Sequence, residues 1–363
     1  MNYGGLLQAY ALQQTIISLG FDCEIINYKP HVHDLRKHPI QFLTQRKDFI
    51  RKGFLGITNY SALKSRIEKF DSFRRSYFKL GSEHTVTLDL LPEEAKRYDC
   101  LCVGSDQLWN LNQKDNENRV YMLDFPYEGK KISYAISFGD GLNKKRESII
   151  DSLPLIQQFS AVSVREKEGL DFLLKNGIDA SLVLDPTLMV NTEFWNRFKR
   201  KKQQIEGEYI LIYGFENAYQ KYDDLVFSGK RLSKKLGLPV INPILTPGLS
   251  YAGFRNFYEC GPVEFLNLVD HASFIVTNSF HGSIFSLLFS RPFISITNEN
   301  GMIDARKKTL FSTLGVENHI ANPSEKWNMD LFQSEPLEKT NNSLYELRRK
   351  STNFLLQMLS GVS

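Results

Sequence analysis

Between Val276 and Ser286 the chain reads Val-Thr-Asn-Ser-Phe-His-Gly-Ser-Ile-Phe-Ser, an apolar strand end passing through Thr277, Asn278 and Ser279 into an apolar helix. Each of those three side chains can accept a hydrogen bond from the free N–H groups of a helix start. A helix N-terminus carries unpaired donors and partial positive charge, so it suits a phosphate or carboxylate. His281 falls in the first turn over that place. An imidazole there can donate to an anion or move a proton, since its ordinary pKa is about 6.5. Gly282 beside it has no side chain to keep a ligand from the backbone.

Arg165 ends an apolar run, Ser163-Val164, and its planar fork can grip a carboxylate or phosphate. The competing use is an ion pair with Glu166 or Glu168 on a solvated helix face. In Gly104-Ser105-Asp106-Gln107-Leu108-Trp109-Asn110, Asp106 either caps the following turn or binds a sugar hydroxyl together with Gln107 and Asn110. Trp109 offers a face on which a sugar can stack, and core packing explains it equally well. No GxxxxGK[ST] loop, HExxH, CxxC pair, GxSxG elbow or Asp-x-Asp is present, so neither a metal nor a resident cofactor is expected.

Elements that would position these residues alternate along the chain. Tyr98–Val103, Lys131–Phe138 and Ala161–Val164 read as buried strands, the last leading into a helix from about Lys167 to Asn176, and Asp185-Pro186-Thr187 closes a further strand. After a crossover from Pro186 to Glu206 come strands at Tyr209–Tyr213, Val240–Ile241, Phe274–Thr277 and Phe293–Thr297. Helices from about Tyr219 to Leu236 and from near Pro262 and Phe280 separate them. This order predicts an α/β fold of two Rossmann-like parallel-sheet domains facing a central cleft, 1–190 and 207–335, with a last helix over 340–360 packing across both. At the start, Asn2-Tyr3-Gly4-Gly5 reads as a glycine turn running into a helix, with a strand at Cys23–Tyr28 beyond it. Such glycines ordinarily follow a strand, and the pattern predicts one ahead of Gly4 that these residues do not supply.

With 363 residues, 42% hydrophobic and 24% charged, the chain fits two globular domains. A net charge of +4 with no single basic footprint argues against nucleic acid as a partner. No apolar run approaches the roughly 20 residues that cross a bilayer, and no signal peptide leads the chain, so a cytoplasmic protein is expected. Cys100 and Cys102 share one face of a strand and read as core thiols. An insert over 31–80 is the exception in charge, its Lys and Arg interleaved with Phe42, Phe49, Phe54, Phe70, Phe73, Tyr77 and Phe78. It reads either as a basic amphipathic surface for the anionic inner-membrane face or as helices whose aromatics pack onto a core.

Taken in order, these motifs resemble the polysaccharide pyruvyl transferase family: Asn2-Tyr3-Gly4-Gly5 with Leu7 to Leu12, Val103 to Asn110, Ser133 to Gly139, Ser163 to Glu166, Leu184 to Thr187 and Ser279-Phe280-His281-Gly282. The resemblance implies a GT-B-like fold. It implies transfer of a pyruvyl group from phosphoenolpyruvate, as co-substrate, to a lipid-linked or nucleotide-activated sugar, giving a cyclic ketal in bacterial exopolysaccharide or capsule. By match to the family, His281 is the acid or phosphate contact and Arg165 the donor-binding arginine, with Ser279, Asn278 and Gly282 around the donor. Relatives typically carry Arg-Leu-His where this chain has Ser279-Phe280-His281, so a second arginine is absent there, and Arg291 or Arg306 would have to supply it. The alternatives are a GT-B glycosyltransferase using a nucleotide sugar, with Glu299 as its ribose-binding carboxylate, and a weakly catalytic glycan-pathway binding protein.

Overall fold

The computed structural model describes residues 1–28, 55–111, 117–200, 203–216, 222–298, 300–333 and 342–360. Glu299 and the part of the basic insert before Leu55 lie outside them. Helix α1 (Tyr3–Ser18) begins at Tyr3 and is capped by Asn2, whose Oδ1 accepts from the Gly5 N–H at 3.2 Å. Gly4 and Gly5 are therefore its first turn, not a loop before it. The helix is buried along most of its length, with only Ile17 and Ser18 of its last turn exposed. Leu12 and Ile16 pack with Ile132 and Tyr134 of the first half, while Tyr3, Leu6, Leu7, Tyr10 and Ala11 join the core of the second.

Helix α2 (Tyr60–Tyr77) fastens the same junction. It buries Leu63, Arg66, Phe70 and Phe73. Arg66 Nη1 donates to the Pro243 carbonyl at 2.9 Å and Lys69 Nζ to the Glu259 carbonyl at 2.8 Å. The Arg66 guanidinium lies 4.8 Å over the Tyr3 ring, which stacks on Phe265 at 4.5 Å. In this described part of the insert Phe70 and Phe73 pack down onto the core, while Tyr60 and Tyr77 are exposed.

The first sheet is parallel and ordered β1 (Cys100–Asp106), β2 (Lys130–Ile136), β3 (Ser163–Val164), β4 (Ser181–Leu182). β1 runs three residues past the apolar stretch read from the sequence. It can do so because position 104 is glycine: a Cβ there would overlap the Tyr134 carbonyl. Cys23–Tyr28 is not a strand but makes isolated bridges, Ile25 to Leu80 and Tyr28 to Val86. An apolar groove of about 490 Å³, lined also by Ala9, Leu12 and Ile16, separates it from β1. Cys23 and Cys100 on the groove are free thiols, pushed up by burial to about 12 and about 11, so both stay protonated. Helices α3 (Lys167–Lys175) and α4 (Pro186–Met189) follow β3 and β4.

The second sheet contains β5 (Ile210–Tyr213), β6 (Val240–Asn242), β7 (Arg255–Asn256), β8 (Phe274–Thr277), β9 (Phe293–Ile296) and β10 (Ile320–Ala321). It is parallel throughout, in the order β10-β9-β8-β5-β6-β7. Its helices are α5 (Tyr222–Leu236), α6 (Pro262–His271), α7 (Phe280–Leu288) and α8 (Ala305–Leu314). Strand order reverses between β5 and β8, the crevice where open α/β sheets bind ligands. Helix α9 (Asn342–Leu359) returns to the first half, where Leu355 and Leu359 pack with Ile132 and Tyr134, and Arg348 Nε donates to the Leu188 carbonyl at 2.6 Å. Two parallel α/β units with their strand C-termini turned toward each other make a GT-B-like fold. Among the described residues no helix is long and apolar enough to cross a membrane.

Tyr3 ties α1, α2 and the second core together, and its hydroxyl donates to the Cys260 carbonyl at 2.8 Å. Tyr3→Ala is predicted to cost about 3–5 kcal/mol, the range for removing a buried aromatic ring. Denaturant unfolding measures this, and a loss below about 1 kcal/mol would show that the junction does not depend on the ring.

Candidate active site

β3 delivers Arg165 into the space between the two sheets, where its side chain is 1% exposed. The sequence offered Glu166 and Glu168 as partners. The structure supplies Asp185 and Asp106 instead. Arg165 Nη1 donates to Asp185 Oδ2 at 2.5 Å and to Ser105 Oγ at 3.2 Å, and Nη2 donates to Asp106 Oδ1 at 2.8 Å. Asp106 has φ 77°, a left-handed turn that aspartate tolerates better than most residues, and the turn brings its carboxylate back to Arg165.

Asp185 was legible only as the end of a strand, yet it is the hub. Its Oδ1 caps α4, accepting from the Thr187 N–H at 3.0 Å and the Thr187 hydroxyl at 2.5 Å. Its Oδ2 takes Arg165 and the Ser105 hydroxyl, at 3.2 Å, and lies 3.5 Å from His281 Nε2, an electrostatic contact rather than a hydrogen bond. Burial pushes this carboxyl up, but His281, Arg165 and Thr187 together hold it well below the usual carboxylate range. Asp106 is likewise held low, burial being outweighed by Arg165, His281 and Arg306.

His281 sits in the first turn of α7, where Ser279 Oγ accepts from the Gly282 N–H at 3.2 Å. His281 is 5% exposed and lies against Gly4 of α1: a Cβ on Gly4 would overlap its Nδ1, Cγ and Cβ. The glycine at position 282 has a different use from the one read in the sequence. A Cβ there would overlap the Thr277 hydroxyl and crowd Tyr213, so the glycine admits the strand end and not a ligand. Asn278 is also committed, accepting from the Phe215 N–H at 2.9 Å and donating to the Phe215 carbonyl at 2.7 Å. It clamps the β5 and β8 loops together at the crevice.

Three sequence candidates are placed elsewhere or differently. Trp109 is wholly buried between Phe138 and Phe159 with Nε1 donating to the Tyr121 carbonyl at 3.0 Å, so it presents no face to a sugar. Arg291 lies before β9, at the opposite end of the sheet from His281, and contacts Asp270 at 3.5 Å. Asn110 Nδ2 donates to Asp140 Oδ1 at 2.8 Å. Gln107, by contrast, reaches the centre: turned with its oxygen toward Arg306, it accepts from Nη1 at 2.5 Å and Nη2 at 2.8 Å. Arg306 enters from the second half, held by Asp304 at 3.2 and 3.3 Å. The guanidiniums of Arg165 and Arg306 both lie over the Phe280 ring, at 4.6 and 5.5 Å. Glu166 is buried alongside. One oxygen accepts from the Phe138 N–H at 2.8 Å while the other makes no hydrogen bond among the described residues, and burial, only partly opposed by Arg165, pushes its carboxyl up to about 7.

An α/β chain with this polar centre between two facing parallel sheets is a GT-B-like enzyme. It belongs to the polysaccharide pyruvyl transferase family, whose sequence profile matches residues 2–300. No curated protein gives a significant match. Solved structures similar to it include UDP-GlcNAc 2-epimerase from Neisseria meningitidis bound to UDP-GlcNAc, with a TM-score of 0.49 at 12% identity over 98% of this chain and 97% of that one. UDP-GlcNAc 2-epimerase from Methanocaldococcus jannaschii gives 0.46 at 11% over 97% and 91%. Glycosyltransferase SnogD from Streptomyces nogalater gives 0.35 at 10% over 96% and 91%.

Two predictions follow the packing and the charge. Gly4→Ala is expected to destabilise the protein by about 1–3 kcal/mol through overlap with His281, and the loss should shrink when His281→Ala is also present. Additive losses in that double-mutant cycle would mean the two residues do not meet. Glu166 binds its proton more tightly folded than unfolded, so stability falls as pH rises from about 4.5 to about 7. Glu166→Gln should flatten that slope in urea titrations at stepped pH, and an unchanged slope would assign it to another group.

Proposed function

We propose that this protein transfers a pyruvyl group from phosphoenolpyruvate to two hydroxyls of one sugar, forming a cyclic ketal and releasing inorganic phosphate, in the building of bacterial exopolysaccharide or capsule. Family membership supports the reaction class. The observation that carries the reading is a buried imidazole in the first turn of α7, with Asp185 behind it and two guanidiniums on the neighbouring Phe280 ring.

The chemistry needs these parts together. One sugar oxygen bonds to C2 of the enol while C3 gains a proton, which requires an acid at the alkene and positive charge near the carboxylate and phosphate. The second sugar oxygen then bonds to C2 as the C2–O bond to phosphate breaks. The two hydroxyl protons end on C3 and on the released phosphate. His281 is suited to carry them through Nδ1, since its buried Nε2 faces the Asp185 carboxylate at 3.5 Å, which orients the ring from that side. The first-turn N–H groups of α7 that Ser279 does not cap are donors for the phosphate. Asp106 and Gln107, at the end of β1, are our candidates for the acceptor's hydroxyls. The reaction requires no resident cofactor. Phosphoenolpyruvate is a cytoplasmic metabolite, which puts the reaction in the cytoplasm, at the inner-membrane face when the acceptor is lipid-linked.

The test is phosphate release from phosphoenolpyruvate with lipid-linked or nucleotide-activated galactose, mannose and N-acetylhexosamine. Acceptor-dependent release is expected, with His281→Gln lowering kcat by about 10²–10⁴. No release with any acceptor, alongside turnover of a nucleotide sugar, would overturn the reading.

A further inference from the structure

The two arginines over Phe280 differ in what each would leave behind if it turned to a ligand. Arg165 bridges Asp185 and Asp106, with Ser105 as a third partner. Withdrawing it would strand a carboxylate that is 1% exposed, and uncovering one member of a buried ion pair is among the costlier changes a fold can make. Arg306 is held by Asp304, two residues away in its own segment, and by the neutral carboxamide of Gln107. Asp304 also caps α8, accepting from the Lys307 N–H at 3.1 Å, so it keeps a partner without Arg306. Gln107 carries no charge to strand. Ser279, two residues before His281, cannot contribute a cation, and its hydroxyl is spent on the Gly282 N–H.

We propose that Arg306 is the side chain that grips the anionic carboxylate–phosphate donor, releasing Gln107 as it does so, and that Arg165 is a positioning residue that keeps Asp106 and Asp185 in place around His281. This rests on the proposed reaction. It assigns the donor's direct contact to the second half of the molecule, across the cleft from the β3 arginine. A guanidinium held by a chelating neighbour on its own helix start swings toward a phosphate at small cost and meets it through two parallel N–H donors.

The experiment is calorimetric titration of the full chain with phosphoenolpyruvate and, separately, with inorganic phosphate, on wild type, Arg306→Gln, Arg306→Lys, Arg165→Gln and Arg291→Gln, with melting curves for each. Expected is at least a tenfold weaker phosphoenolpyruvate affinity in Arg306→Gln, partial recovery in Arg306→Lys, little change of melting temperature in either, and wild-type binding in Arg291→Gln. Arg165→Gln should instead lower the melting temperature markedly, and in turnover it should act on kcat more than on KM for the donor. Wild-type affinity in Arg306→Gln overturns the assignment while leaving the reaction intact. Phosphate binding that depends on Arg306, without binding of phosphoenolpyruvate, upholds Arg306 as the anion contact and overturns the donor. Failure of the wild type to bind either anion overturns both.

Discussion

Asp185 is a charge that this fold buries because Arg165 is buried against it. Each alone would meet a desolvation penalty of several kcal/mol, and together they persist because both oxygens of Asp185 and both terminal nitrogens of Arg165 find partners. Two oxygens of one carboxylate therefore do three jobs. One starts α4 by capping it. The other fixes the arginine that holds Asp106, and it faces the imidazole of His281. The first two are local and structural, yet they set the third, since the ring can only be oriented by a carboxylate that does not move. Among the described residues, Arg165 Nε, Glu166 Oε2 and His281 Nε2 are the buried polar atoms of this cluster without a hydrogen bond.

The same centre depends on how closely the two halves approach. His281 belongs to the second half and Asp185 to the end of the first, and α1 stands between the two halves with most of its side chains buried, Gln8 and Gln13 among them. Its buried polar side chains are spent on backbone: Gln8 Oε1 accepts from the Ser105 N–H at 3.0 Å and Gln13 Nε2 donates to the Lys79 carbonyl at 2.8 Å. Where α1 meets the imidazole it has Gly4, and an added methyl group would take the space of the ring. Packing density at the interface and chemical geometry at the site are here one constraint.

Local features were the ones legible in the sequence. The α7 start could be read because strand, cap and helix are contiguous, and Ser279 caps as its type requires. Arg165 could be read as a strand-end arginine. Its partners could not, since Asp106 lies 59 residues away and Asp185 reads in the sequence as the close of a strand. Trp109 shows the opposite difficulty. A ring suited to stacking on a sugar is equally suited to a core, and only the positions of Phe138 and Phe159 decide. Glycines signalled close approach without saying what approaches: at position 282 it is the hydroxyl of Thr277, and at position 4 it is His281. Cys23–Tyr28 carried the composition of a strand, but a strand needs a neighbour within ladder distance, and the groove beside β1 separates the two.

Ser279 and Arg306 belong to one compromise. Serine is a good helix cap and arginine is not, so a serine there gives α7 a firmer start and gives up a cation at that spot. A cation supplied by α8 comes from an element that also touches the first half, through the Lys167 N–H donating to Thr309 Oγ1 at 3.0 Å and through Gln107 on Arg306. Positive charge at the site then depends on α8 staying docked against the first half. A donor held by Arg306 would reinforce that docking, and a cleft opened between α8 and α3 would lose the charge and the acceptor-side loop contact in the same motion.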